Sequence, residues 1–173
     1  MSDGGGETRS VYIWVREGTW RATVDAARSL APAGARFTLL YVTPADADAA
    51  RGAYAGLFGR GGPGPGRRLE ELTAAAAGEL LAAAAARLGQ DCARRELQGR
   101  AERAVVAASA QADLLVAARD GDRARLGPKS LGPVTRFVVD HAACPVLLVW
   151  PGPVPDVGTM PPPPPAHPPR PGG

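Results

Sequence analysis

Lysine is almost absent from this chain of 173 residues: Lys129 is the only one, so the positive charge is nearly all arginine. The net charge is only +3 and aromatic residues make up 5% of the sequence. Neither a basic groove nor a stacking platform for nucleic acid is therefore indicated. Cysteine is scarce too. Cys92 and Cys144 stand alone, with no CxxC pair and no histidine or cysteine cluster at zinc spacing. That argues against a disulfide framework or a metal site and for two small buried hydrophobes in a reducing compartment. No window of roughly 18 uninterrupted apolar residues occurs, because Gly78 and Glu79 break the alanine-rich stretch 74–86. The start, Met1 to Glu7, lacks the basic patch and apolar run of a secretory signal. A soluble, cytoplasmic protein is expected, without membrane or nucleic-acid partners.

Catalytic groups are equally few. Of the two histidines, His167 lies in a proline-rich tail and His141 ends a helix, where a cation is favourable without any chemical role. There is no GxSxG elbow, and neither cysteine follows a helix N-terminus that would activate it. Gly127-Pro128-Lys129-Ser130 suggests a P-loop, but Pro128 splits glycine from lysine and would interrupt a cradle of backbone N–H groups. The glycines at 4–6 precede a strand, the wrong side for a dinucleotide fingerprint. No catalytic residue and no metal ligand can be assigned.

What is present is an alternation of strands and helices. A chain of this length suits one domain, since about 150 residues bury roughly 68–70% of the surface they expose unfolded. After a leader over residues 1–10, expected to be disordered, Val11-Tyr12-Ile13-Trp14-Val15 reads as a strand and Arg16-Glu17-Gly18-Thr19 as a turn. Thr19 is placed to cap a helix carrying Val24, Ala27, Arg28 and Ala31, which Pro32 and Gly34 end. Phe37 to Val42 is the second strand, closed by Thr43-Pro44. From Ala45 to Gly66 the glycines and prolines sustain neither ladder nor helix and predict a mobile surface loop. Arg67 to Leu88 reads as a long helix with Leu69, Leu72, Ala76, Leu80, Ala83 and Leu88 on its apolar face, stopped by Gly89. A weak third strand, Cys92 to Leu97, carries charge suited to a sheet edge.

Gly99 turns the chain into a helix from Ala101 to Ala110. Asp113 to Ala117 is then an apolar run without alternation, the mark of a parallel strand covered on both faces. Asp113 is expected to cap the preceding turn. A basic, glycine-bearing loop follows from Arg119 to Gly132, then a helix from Pro133 to His141 and a last strand from Val146 to Trp150. Right-handed crossovers between five such strands give one parallel, doubly wound α/β sheet. A loop at the carboxyl end of a central strand is where such sheets bind ligands. From Pro151 to Gly173 the proline-rich composition predicts a disordered tail of polyproline II character.

Across Val11 to Val149 the residues resemble the universal stress protein family. Its first strand is matched by Ile13-Trp14-Val15-Arg16-Glu17-Gly18-Thr19, and Tyr41-Val42 stands where its second strand ends. Its close looks like His141-Ala142-Ala143-Cys144-Pro145-Val146-Leu147-Leu148-Val149. The nucleotide motif of ATP-binding members is Gly, two residues, Gly, nine residues, Gly, then Ser or Thr. Here Ala118, Gly121 and Gly132 occupy the glycine positions, ten residues separate the last two, and Pro133 replaces the hydroxyl residue. Arg16 stands in place of the aspartate that contacts nucleotide, and arginine has no acceptor to offer. Pro133 likewise supplies neither hydroxyl nor N–H.

The resemblance implies a flavodoxin-like, adenine-nucleotide alpha-hydrolase-like three-layer sandwich with strand order 3-2-1-4-5. It also implies ATP or AMP as ligand and a homodimer through the last strand, with Trp150 at or near the contact. By the same resemblance, backbone groups at Val42 meet a base, while Gly121, Gly132 and Val134 line the phosphate path. Arg119, Arg123, Arg125 and Lys129 crowd the loop and offer compensating donors. Ser130 offers a substitute hydroxyl, and Arg16 completes the candidate site. The resulting expectation is a non-catalytic stress-response sensor or adaptor with a modified adenine-nucleotide or anion site. The alternatives are a module for an unknown protein partner that has lost its nucleotide and, more weakly, a nucleotide hydrolase.

Overall fold

The computed structural model describes residues 8–44 and 65–163. The expected leader up to residue 7, the loop over 45–64 and the tail from 164 lie outside the described residues. Five strands form one parallel sheet in the order β3-β2-β1-β4-β5. They are β1 Ser10–Trp14, β2 Arg36–Pro44, β3 Cys92–Gly99, β4 Leu114–Ala118 and β5 Val146–Val149. Among the described residues, the helices between them are α1 Trp20–Leu30, α2 Pro65–Leu88, α3 Ala101–Ser109 and α4 Pro133–His141. The doubly wound sandwich and its strand order are as expected.

β1 shows why the strands need unbroken apolar runs. Successive side chains point to opposite faces of a sheet, and here helices cover both. Val11, Ile13 and Val15 enter one core with Trp20, Val24 and Ala27 of α1 and Leu81, Ala84, Ala85 and Leu88 of α2. Tyr12 and Trp14 enter the other, with Val105 and Ala108 of α3 and Val138 of α4. β4 divides in the same way, Val116 to the first core and Leu115 and Ala117 to the second. Val24 and Val138 are fully buried, and burying each is worth about 1.5–3 kcal/mol.

Several local expectations are revised. The α2 helix begins at Pro65 and buries Ala77, Leu81, Ala84, Ala85 and Leu88, whereas Ala76 and Ala83 are exposed and Leu72 is 65% exposed. Leu80 is half-buried, and the side chain of Leu69 lies outside the described residues. An alanine-rich helix is weakly apolar on every side, so sequence periodicity does not fix its inward face. A paired bond from Arg87 to Asp25, at 2.8 and 2.6 Å, joins its last turn to α1. Thr19 does not cap α1 through its side chain: its hydroxyl donates instead to the Arg16 carbonyl. That carbonyl also takes the Thr19 and Trp20 N–H groups, so it anchors the whole turn.

Asp113 does not cap its turn but accepts the Ser10 N–H at 2.7 Å, tying β4 to β1, which begins at Ser10 and so takes the last residue of the expected leader. Both cysteines are only half-buried. β5 stops at Val149, leaving Trp150 outside the strand, and β3 pairs with β2 over all eight of its residues.

Candidate functional site

β1 and β4 pair in parallel, with Val11 opposite Leu114 and Ile13 opposite Val116, so their carboxyl ends leave the sheet side by side. The turn at Arg16 and the loop that starts at Arg119 consequently lie side by side at the carboxyl end of the sheet, where open sheets form their ligand crevice. They touch: Arg16 Nη1 donates to Asp120 Oδ2 at 2.6 Å, across 104 residues of sequence. Asp120 Oδ1 accepts the Gly132 N–H at 2.8 Å, at the entry to α4. Arg16 Nη1 also donates to Thr135 Oγ1 at 3.2 Å, and its guanidinium lies 4.8 Å from the centre of the Trp14 ring. Thr135 is fully buried, the Asp120 side chain is 13% exposed and that of Arg16 is 36% exposed.

These contacts set the charge state of the pair. Burial raises the Asp120 pKa, but the hydrogen bond and charge of Arg16, with the Gly132 N–H and the Thr135 hydroxyl, outweigh it and hold the carboxyl below the ordinary aspartate range. Asp120 is an anion at neutral pH, lying where a helix N-terminus favours negative charge.

The loop folds back on itself to reach this arrangement. Gly121 and Asp122 donate their N–H groups to the carbonyls of Ser130 and Lys129 at 3.0 and 2.8 Å. A Cβ on Gly121 would lie 2.2 Å from the Lys129 carbonyl oxygen, so only glycine allows the closure. Ser130 is fully buried: its hydroxyl donates to the Gly127 carbonyl at 2.7 Å and accepts a short bond from Arg119. Arg119 also lies over the Trp150 ring, 4.9 Å from its centre. Trp150 thus packs on the site loop.

The segment after β5 takes part as well. Residues 151–163, expected as part of a disordered tail, contain a 3-10 turn, Val157–Thr159, capped by Asp156, which accepts the Gly158 N–H. Thr159 Oγ1 accepts the Leu126 N–H at 3.1 Å, and Pro161 packs against Gly127. Turn chemistry and two contacts with the loop fix this segment despite its prolines.

Of the residues singled out from sequence, Arg16 and Gly132 meet on Asp120, while Gly121 and Ser130 bind each other. Val134 is half-buried in the first turn of α4, and Val42 is buried near the carboxyl end of β2. Lys129 is exposed and lines a shallow groove with Pro128, Leu131, Arg136 and Phe137. Arg123 and Arg125 are exposed. Asp120 and Thr135 are site residues that the sequence reading does not single out. A signal for Asp120 exists in the sequence: arginine replaces an expected aspartate in one turn, and an aspartate stands in the facing loop.

Chemically, the crevice presents a guanidinium, a helix-terminal N–H and a buried hydroxyl, all oriented about one carboxylate. Among the described residues no group of three metal-ligating side chains occurs, and no helix is long and apolar enough to cross a membrane.

Residues 16–149 match the Universal stress protein family. Solved structures with a similar fold include that of the hypothetical protein MJ0577, 16% identical, covering 82% of this chain and 95% of that one with a TM-score of 0.60. UspA from Lactobacillus plantarum is 19% identical, with 84% and 99% coverage and a TM-score of 0.55. A universal stress protein solved in complex with cAMP is 19% identical, with 84% and 98% coverage and a TM-score of 0.54. A search of curated proteins by sequence finds no match.

Proposed function

Because the chain belongs to the universal stress protein family, we propose that it is a cytoplasmic, non-catalytic sensor or adaptor of the stress response with a modified adenine-nucleotide or anion site. The observation that carries this reading is the Arg16–Asp120 contact, which joins the turns after β1 and β4 at the edge where open α/β sheets bind ligands. Support for an adenine nucleotide comes from the fold neighbour solved with cAMP. In this reading Val42 meets the base, and Gly121, Gly132 and Val134 line the path of the phosphates of ATP or AMP. Arg16 and Lys129 are the substitute polar groups, whereas Ser130, fully buried with its hydroxyl bonded to the Gly127 carbonyl and to Arg119, braces the loop and does not meet the ligand. The second reading, a protein-interaction module that has lost its nucleotide, is favoured by one observation: Asp120 already holds the Gly132 N–H and the Arg16 guanidinium.

Assembly as a homodimer through β5 belongs to the same proposal. Its four residues are all half-buried and form one edge of the sheet, a position that invites pairing with another chain. Calorimetric titration with ATP and AMP tests the main reading. Saturable heat by millimolar ligand is expected, whereas no heat and no thermal shift would leave the interaction module.

A further inference from the structure

The geometry points to Asp120 as an autoinhibitory latch: its carboxylate sits in the crevice as an internal anion, and a ligand phosphate enters only by displacing it. This deepens the reading of a modified anion site and rests on it. Two donors from separate elements converge here, Arg16 from the turn after β1 and the Gly132 N–H from the end of the loop, while Thr135 of α4 holds the guanidinium in place by accepting from Arg16. The fit is close, since a Cβ on Gly132 would lie 3.0 Å from both Asp120 carboxylate oxygens. No second anion shares that space.

Energetically, an external oxyanion competes with a tethered carboxylate for the same charge-assisted bonds. Its apparent affinity falls by the fraction of molecules in which the latch is open. The latch is also local. Asp120 lies between Arg119, which is held by Ser130 and Trp150, and Gly121, which is held by Ser130. A rotation of one side chain therefore exposes the donors while its neighbours keep their partners.

The test compares the full chain with Asp120→Ala, Asp120→Asn and the double variant Arg16→Ala/Asp120→Ala, each titrated with ATP and with inorganic phosphate. Asp120→Ala is expected to bind ATP about tenfold more tightly than the wild type, and phosphate should raise its melting temperature while leaving the wild type unmoved. Removing Arg16 as well should abolish both gains. Asp120→Asn keeps an acceptor for the Gly132 N–H without the charge, so it shows the same direction should the alanine variant not fold. Equal ATP affinity in wild type and variants would overturn the latch while leaving the nucleotide site standing. Binding by none of them would remove both.

Discussion

Gly121 and Asp120 are adjacent, and each is legible in sequence to a different degree. The glycine is readable as a place where the backbone is approached closely, and the structure supplies the object: the Lys129 carbonyl, 2.2 Å from where a Cβ would stand. A main-chain atom cannot be moved aside as a flexible side-chain tip can, so Gly121→Ala should cost about 2–3 kcal/mol in denaturant unfolding. Gly152→Ala, with open space around its Cβ, serves as the control and should change stability by less than about 0.5 kcal/mol. Similar losses in both variants would mean that the loop does not close over Gly121. Asp120 is harder to read. Its importance depends on a partner 104 residues away, and only the adjacency of β1 and β4 brings the two together.

Among the elements, β1 and β4 are readable because each is short and apolar on both faces, while the charged β3 at the sheet edge gives a weaker signal. Val11 to Val15 alternates between two cores, a division implied by the composition alone once helices flank the sheet. The α2 helix was not readable to the same depth. Its alanines leave the inward face to be chosen by packing against α1 and by the Arg87–Asp25 pair, a tertiary contact with no local signature. The segment after β5 misled for the opposite reason: its prolines signal extension, but Asp156 and Thr159 supply a turn and a hold on Leu126. β5 itself bears on assembly. Sedimentation at micromolar concentration should show a dimer, and a monomer would set aside pairing through that edge.

For the molecule as a whole, topology makes the site. The order β3-β2-β1-β4-β5 puts the reversal of strand order at β1 and β4, so the two turns beyond them share a crevice in any sequence that folds this way. Which chemistry fills that crevice is decided by few residues. Here a guanidinium in one turn and a carboxylate in the other neutralise each other, with the start of α4 and Thr135 completing the seat. The family and its architecture were therefore open to reading from the chain, while the closure of the crevice by its own ion pair was not.

The most direct test of that closure is a double-mutant cycle, with Arg16→Ala, Asp120→Ala and both together unfolded in denaturant alongside the wild type. A coupling of about 1–2 kcal/mol is predicted for a partly exposed, hydrogen-bonded pair. Additive losses, with coupling indistinguishable from zero, would contradict the account.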